Sequence, residues 1–172
     1  MTGEGTKNNP YLITSVQELY SMGEVGGTDV YFRLDTDIDF NGTEYAENFV
    51  PIPICCAEFD GNGHTIRNIY CNTSGTAVVL SDMTSTEESN TVEIKNLTFE
   101  NIELVAADIA FFSAYSGTTS GTINLSECII SMRCTLTQSP SNSSSAQKGL
   151  MCDFYRTVNM YLCTVKLEFD GI

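Results

Sequence analysis

Ile94-Lys95-Asn96-Leu97 repeats the pattern of Ile66-Arg67-Asn68-Ile69, with apolar residues on both sides of a basic residue and an asparagine. Leu125-Ser126-Glu127-Cys128 and Met160-Tyr161-Leu162-Cys163 continue a loose series, whose starts are 28, 31 and 35 residues apart. Repeats of 20 to 50 residues are typical of solenoids, because each repeat buries its apolar face against its neighbours. The series therefore predicts stacked coils that share one interior.

A second apolar set falls between the members of the first. It comprises Ala77-Val78-Val79-Leu80, Ile109-Ala110-Phe111-Phe112 and Gly149-Leu150-Met151-Cys152. Two sets that recur in the same order predict short strands contributing to the same sheets. The polar segments 81–90, 116–122 and 138–147 are expected to be loops outside the stacked core, with 139–145 the most mobile.

The N-terminal region predicts one helix that caps the first coil. Ser15 can be its N-cap and Glu18, three residues later, can complete a capping box. Val16, Leu19, Tyr20 and Met22 form its apolar side, and Gly23 or Gly26 ends it. We expect a single domain over residues 1–172, with the cap at 1–26 and the coils at 27–172.

Three motifs in order resemble a known group of solenoid proteins. They are the segments 5–13 (Gly-Thr-Lys-Asn-Asn-Pro-Tyr-Leu-Ile), 31–39 (Tyr-Phe-Arg-Leu-Asp-Thr-Asp-Ile-Asp) and 59–66 (Phe-Asp-Gly-Asn-Gly-His-Thr-Ile). The set resembles the GLUG-type repeat proteins of bacterial surfaces and the β-helical fibre and virion proteins of phages. The resemblance covers residues 3–105 closely and the remainder only through the repeat.

The resemblance implies an all-β fold, a right-handed parallel β-helix of about four coils with a short N-terminal capping helix. One departure is the Gly-Leu-Phe-Gly element of that group, which is degraded here to residues 77–80 and 110–113.

Two local features have structural interpretations of their own. Asp60-Gly61-Asn62-Gly63 offers positive φ at three successive positions, so the chain can turn sharply between strands. Asn68 and Asn96 occupy matching places in the repeat. Their amides are expected to stack and bond neighbouring coils as an asparagine ladder.

The charge balance excludes some partners. With 22 acidic and 8 basic residues the net charge is −14, which disfavours nucleic acids and anionic membranes. No secretory signal is visible at the N-terminus, and no stretch is long enough to span a bilayer. Seven cysteines and one histidine without metal-site spacing predict buried, apolar cysteines and no zinc site. No catalytic, cofactor-binding or metal-binding residue is assigned.

The alternative to a chain without catalytic or metal-binding residues is catalysis or calcium binding by its aspartates. Asp35, Asp37 and Asp39 alternate along one predicted strand, which places all three on the same face. With Asp60 nearby, they could hold calcium or act as paired acids. A solvated face with turn capping is the favoured interpretation. Lyase-type sites also need a basic patch, and the arginines are scattered, at Arg33, Arg67, Arg133 and Arg156. His64, the single histidine, is interpreted as a turn or edge residue.

Aromatic side chains offer a possible glycan-stacking surface. The candidates are Tyr115, Tyr155, Tyr161, Phe111 and Phe112. A position in the core is the favoured alternative for Phe111 and Phe112.

The C-terminal segment Val165-Lys166-Leu167-Glu168-Phe169 alternates as a strand, and no capping element follows it. We expect this end to be covered by another copy of the chain or by another virion or surface protein.

The leading functional hypothesis is a non-enzymatic structural or binding module of a phage virion or fibre, assembled in the host cytoplasm. The first alternative is a fragment of a bacterial cell-surface adhesin that binds a glycan or a host surface. The second is a polysaccharide-degrading β-helix enzyme. No cofactor, nucleic-acid partner or membrane insertion is expected.

Overall fold

The computed structural model describes residues 1–47, 49–82, 90–114, 121–137, 148–152 and 157–170. Within them the chain forms two short helices and sixteen strands. In chain order these are β1 (Tyr11–Ile13), α1 (Val16–Tyr20), α2 (Met22–Val25), β2 (Tyr31–Leu34), β3 (Ile38–Asp39), β4 (Ile52–Ile54), β5 (Glu58–Asp60), β6 (Thr65–Arg67), β7 (Tyr70–Asn72), β8 (Thr76–Asp82), β9 (Asn90–Lys95), β10 (Thr98–Ala106), β11 (Asp108–Ala114), β12 (Gly121–Ser126), β13 (Ile129–Leu136), β14 (Lys148–Cys152), β15 (Thr157–Tyr161) and β16 (Thr164–Asp170).

The strands form three parallel sheets, which confirms the predicted all-β class. Sheet 1 has the order β1-β2-β5-β9-β12-β15, sheet 2 has β3-β6-β10-β13-β16 with β7 also paired to β10, and sheet 3 has β4-β8-β11-β14. From β2 onwards the chain visits sheets 1, 2 and 3 in turn and then returns to sheet 1. We call one such passage a coil. The described residues contain four complete coils, and β15 and β16 begin a fifth.

The register shows which repeats stack, and it corrects the first predicted alignment. The Ile94 position in β9 lies opposite Phe59 on one side and Leu125 on the other, and Leu125 lies opposite Met160. Ile66 belongs to sheet 2, opposite Phe99. The prediction that 66–69 stacks on 94–97 was therefore wrong, because two corners of the coil carry similar apolar–basic–asparagine patterns.

The second apolar set was aligned correctly at its first step. Ala77 lies opposite Ile109, as the sequence predicts. Ile109, however, lies opposite Lys148, so the third member of the set was placed one residue late.

Large apolar side chains fill the interior of the coils. Phe111 is fully buried and makes edge-to-face contacts with Phe99 at 5.0 Å and with Phe112 at 4.8 Å between ring centroids. The contact between Phe99 and Phe111 joins sheet 2 to sheet 3. Phe111 and Phe112 are therefore core residues and not parts of an exposed stacking surface.

The N-terminal cap forms as two helical turns instead of one helix. Ser15 Oγ accepts a hydrogen bond from the Glu18 N–H at 3.2 Å, as predicted. The Glu18 carboxylate, however, accepts from the N–H and hydroxyl of Thr14, both at 2.8 Å, and pairs with the ammonium of Met1. Both helices pack on β4, and α2 ends at Gly26. Their apolar side buries Val16, Leu19 and Met22.

The glycine-rich corner after β5 has positive φ at two positions instead of three. Asn62 has φ 53° and Gly63 has φ 80°. At Gly61 the requirement is space, because a Cβ there would lie 2.4 Å from the carbonyl oxygen of Asn96 in the next coil. Close stacking of two coils thus excludes a side chain at this corner.

The predicted loops fall largely on residues outside the described ranges, namely 83–89, 115–120 and 138–147. Their predicted ends were too wide, since β8 extends to Asp82 while β9 begins at Asn90 and β12 at Gly121.

Strand β16 has apolar residues at the register positions that are buried in β13, but here they are only partly covered. Val165, Leu167 and Phe169 lie opposite Ile130, Met132 and Cys134, all of which are buried. Phe169 nevertheless remains 46% exposed. Each of β14, β15 and β16 pairs on one side only among the described residues.

Candidate functional site

Polar side chains stack from coil to coil in three ladders. In the first, Asn68 Nδ2 donates to Asp39 Oδ1 at 2.7 Å, and Asn101 Nδ2 donates to Asn68 Oδ1. In the second, Asn96 Nδ2 donates to Asp60 Oδ1 at 3.0 Å. We call these ladders 1 and 2.

Ladder 3 runs along the middle of sheet 1. Asn159 Nδ2 donates to Asn124 Oδ1 at 2.9 Å, and Asn124 Nδ2 donates to Glu93 Oε1. Every amide in the three ladders donates towards the N-terminal end, and every ladder ends there on a carboxylate. Such an acceptor suits the direction, because an ionised carboxylate is the strongest side-chain acceptor available to an amide.

The ladders only partly match the sequence-based expectation. Asn68 and Asn96 do stack on neighbouring coils, but they belong to ladders 1 and 2 and do not contact one another. Asn101 and Asn124 were missed. The signal for Asn101 was the recurrence of asparagine about one coil later, 33 residues after Asn68; Asn124 shows a similar spacing of 28 residues from Asn96. The second of these spacings would have misled, since Asn96 belongs to ladder 2 and Asn124 to ladder 3.

Asp37, Asp39, His64 and Arg67 form an ionic cluster beside ladder 1. Asp37 Oδ1 accepts from the Thr65 N–H and lies 3.1 Å from His64 Nδ1. Arg67 Nε donates to Asp39 Oδ2 at 3.0 Å, and its Nη1 lies 3.7 Å from Asp37 Oδ2.

These contacts hold both carboxyl groups in the ionised form. The Thr65 N–H, followed by His64, lowers the pKa of Asp37. The Asn68 amide, followed by the Asn41 N–H, lowers the pKa of Asp39. Both side chains remain more than one-third exposed, so water weakens each of these interactions.

The three alternating aspartates do not share one strand. Strand β2 ends at Leu34 and β3 begins at Ile38, so the chain turns between sheets 1 and 2 at Asp35. The predicted common face was therefore wrong. Asp60 lies in ladder 2, where it accepts from the Asn62 N–H at 2.8 Å and lies 3.7 Å from Lys95 Nζ. Across the described ranges, no three His, Cys, Asp or Glu side chains are arranged to hold a metal ion.

Lys95 neutralises the carboxylates of the second coil. Its Nζ lies 3.0 Å from Glu58 Oε2 as well as near Asp60. Burial opposes its charge, but these two carboxylates outweigh the burial and raise the pKa of Lys95. Arg67 and Lys95 thus each bridge two successive coils.

A groove of about 190 Å³ opens where a bulge in sheet 2 ends. Glu100 and Asn101 of β10 lie opposite the single residue Ser131 of β13, and Asn101 has φ 51°. The fourth coil therefore lacks a residue that the third coil has, which leaves a step in the surface. The groove is lined by Asn101, Ile102, Glu103, Ser131, Met132, Arg133, Lys166 and Glu168.

Charged groups of both signs line this sheet 2 groove. Lys166 Nζ lies 2.7 Å from Glu168 Oε1, and Arg133 Nη2 lies 3.6 Å from Glu168 Oε2. Lys166, and to a lesser degree Arg133, lowers the pKa of Glu168. The remaining donors and acceptors are an amide, a hydroxyl and the Glu103 carboxylate, a set that suits a polyhydroxylated ligand.

The other candidate residues from the sequence are dispersed. Tyr161 is 68% exposed, and Tyr115, Tyr155 and Arg156 lie outside the described residues.

Cys56, Cys128 and Cys134 are buried as predicted, whereas Cys55, Cys71 and Cys163 are only partly buried. Burial raises the pKa of Cys128 and of Cys134 to about 11, which disfavours a reactive thiolate at either position.

A segment of Halomucin from Haloquadratum walsbyi is 33% identical to this chain over 113 residues. The match covers 62% of this chain but only 1% of the length of Halomucin. No family model matches the sequence. No solved structure matches it either.

Both helices that the structure describes are a single turn or little more. No helix in the described part of the chain has the length and apolar character needed to cross a membrane.

Proposed function

We propose that this chain is a non-catalytic structural segment of a cell-surface protein, built as a right-handed parallel β-helix. The main support for this proposal is that polar side chains form hydrogen bonds from one coil to the next. The carboxylates at the bases of all three ladders accept hydrogen bonds from the next coil. A side chain engaged in this way serves to hold coils in register.

The right-handed winding is supported by the parallel pairing of the strands. Parallel strands in one sheet are joined by right-handed crossovers in about 98% of known cases, because right-twisted strands favour that path. Each crossover here passes through two other sheets before it returns. The same steric preference applies at every return of the chain.

The ionic cluster supports a structural role over a catalytic one. A general acid in glycoside cleavage needs a raised pKa so that it holds a proton near neutrality. The pKa values of Asp37 and Asp39 are shifted in the opposite direction. Arg67, the nearest cation, is engaged by both carboxylates and is not left for a substrate.

Catalysis is tested directly on polysaccharides. We expect no release of unsaturated or reducing ends from pectin, alginate or a neutral glucan. Cleavage that disappears in an Asp37→Asn and Asp39→Asn double variant, while a Glu4→Gln control stays active, would overturn the structural proposal.

The surface location is supported by the match to Halomucin, a protein whose name marks it as a mucin. A virion location remains a prediction, and no observation on the molecule favours it over the surface.

Antibodies against this chain are the test of location. We expect them to label intact cells of the source organism, and we expect mild protease treatment of those cells to remove the signal. Signal that survives protease on intact cells, or that purifies with virus particles, would contradict the surface assignment.

The sheet 2 groove favours glycan binding as a second candidate function. Its mixture of amide, hydroxyl, carboxylate and cationic groups matches sugar hydroxyls and uronic acid carboxylates. We expect weak binding of oligouronates by calorimetry, lost in Lys166→Ala and kept in Lys7→Ala. Equal binding by both variants, or none by the parent chain, would remove this candidate.

A further inference from the structure

Cys128 and Cys163 are stacked directly on one another in successive coils. Ser126 lies opposite Tyr161 in sheet 1, and Ile129 lies opposite Thr164 in sheet 2. The residues of both pairs are 35 apart in sequence, as are Cys128 and Cys163. Because each cysteine lies between the paired residues of its own coil, the two cysteines share one register position. Both are free thiols in this structure.

The two thiols have equivalent surroundings one coil apart. Cys128 Sγ donates to the carbonyl oxygens of Ser126 at 3.3 Å and Ile94 at 3.5 Å. Cys163 Sγ donates to those of Tyr161 and Leu125, both at 3.4 Å. Burial, with the Cys163 thiol among the lesser causes, raises the pKa of Cys128 to about 11.

This geometry suits a disulfide. Neighbouring strands of a sheet are about 4.8 Å apart, and disulfides span Cα separations of about 4.4 to 6.8 Å. No other cysteines stack in this way in the described strands. Cys134 lies between Leu104 and Phe169, Cys71 lies beside Leu104, and Cys152 lies beside Ser113.

We infer that Cys128 and Cys163 form a disulfide when the protein meets an oxidising environment, and that this bond staples the last coil to the one before it. The oxidant is a low-molecular-weight disulfide. The half-buried Cys163 thiolate attacks it, forming a mixed disulfide and releasing one thiolate. Cys128 then loses its proton and attacks the Cys163 sulfur, which releases the second thiolate. One external disulfide thus becomes two thiols, and two protein thiols become one disulfide.

The bond acts where the solenoid is least covered. Leu162, next to Cys163, is 68% exposed, and Phe169 of β16 is 46% exposed. A covalent link between coils at this corner limits the separation of β15 and β16 from β12 and β13. The inference stands apart from the proposed function, since it rests on register alone.

Peptide mapping tests the assignment without ambiguity. The folded chain is incubated with oxidised glutathione at pH 8.5, remaining thiols are alkylated under denaturing conditions, and the product is digested with trypsin without reduction. Cleavage leaves Cys128 as the only cysteine of peptide 96–133 and Cys163 as the only cysteine of peptide 157–166. We expect these two peptides joined, 2 Da lighter than their sum.

Variants separate the staple from general oxidation. Cys134→Ser should keep the cross-link, whereas Cys128→Ser should lose it. The oxidised parent chain should melt about 5 °C or more above the reduced chain, with no such rise in Cys128→Ser. The disulfide would be overturned if both cysteines were recovered fully alkylated after the folded chain had been oxidised. Pairing of Cys163 with other cysteines to the same extent would also overturn it. A cross-link without a rise in Tm would overturn its role as a staple.

Discussion

Leu162 shows how strongly the corner between sheets 1 and 2 constrains the backbone. The equivalent corner residues are Asn96, Glu127 and Leu162, and all three have φ between 51° and 55°. Asparagine tolerates this left-handed region because its short polar side chain bonds locally, whereas leucine does not. The fold thus imposes at Leu162 a backbone conformation that its side chain disfavours.

Replacing Leu162 by asparagine should therefore stabilise the chain. We expect Leu162→Asn to raise the free energy of unfolding by about 1 kcal/mol, through relief of left-handed strain at an exposed site. Urea denaturation followed by circular dichroism measures it. Tyr161→Asn is the matched control, since Tyr161 is equally exposed but has no positive φ. A loss of stability in Leu162→Asn would contradict the expected strain.

The lowered pKa values of Asp37 and Asp39 predict loss of stability in acid. Because each group binds its proton more weakly in the folded chain, the unfolded chain takes up more protons as the pH falls. The stabilisation is fully present above the unfolded pKa of about 4 and is lost as the pH falls through the lower, folded pKa.

The measurement is Tm between pH 7 and pH 2.5. We expect a fall below about pH 4.5 that is shallower in Asp39→Asn, whose stability at pH 7 should be about 1 kcal/mol lower, a value reduced for its exposure. Parallel pH profiles for the variant and the parent chain would show that Asp39 is not the group responsible.

At the scale of elements, predicting that a segment is a strand differs from predicting its column, meaning the residues that stack with it at one register position in successive coils. The apolar strands were predictable because burial imposes a recurring pattern. The column of Ile66 was not, because Phe59-Asp60 and Ile66-Arg67 are both apolar–charged pairs within seven residues of one another. Register depends on contacts between coils that lie about 30 residues apart.

The candidate site was less predictable than the strands. Asp37 and Asp39 were singled out from sequence, but their shared partner Arg67 comes from the next coil, 28 residues beyond Asp39. The sheet 2 groove depends on a single extra residue in β10 relative to β13. An insertion of that size leaves no signal in composition or periodicity.

A core element and an edge element should respond differently to the same truncation. Phe111→Ala in β11 removes a fully buried ring and should cost about 3 to 5 kcal/mol. Phe169→Ala in β16 removes a ring that is 46% exposed and should cost about 1 kcal/mol or less. Equal losses in urea titrations of the two variants would mean that β16 is more covered than the structure shows.

At the scale of the whole molecule, the last coil predicts self-association. Strands β14, β15 and β16 each pair on one side within the described part of the chain, and unpaired strand edges beside apolar residues template further pairing. We expect light scattering of the isolated 172-residue chain to show a species larger than a monomer. Phe169→Lys, which places a charge at the exposed edge, should shift it towards monomer.

A monomeric parent chain at high concentration would contradict that prediction and remove the support for partners at this end.

The net charge of −14 predicts a dependence on salt. Repulsion among 22 carboxylates opposes the compact state, and salt screens it over about 10 Å at 0.1 M. We expect Tm to rise between 20 mM and 500 mM NaCl at pH 7. A fall over that range would mean that the bridges made by Arg67 and Lys95 outweigh the general repulsion.

We propose that polar side chains in this chain hold one coil on the next. The most direct measurement is a double-mutant cycle on Glu93 and Asn124 in ladder 3, with each residue changed to alanine singly and together. The matched control is Glu4→Ala combined with Asn124→Ala. We predict a coupling energy of about 1 to 2 kcal/mol for the ladder pair and additivity for the control. Additive effects of Glu93→Ala and Asn124→Ala would contradict the claim, because the carboxylate and the amide would then act independently of one another.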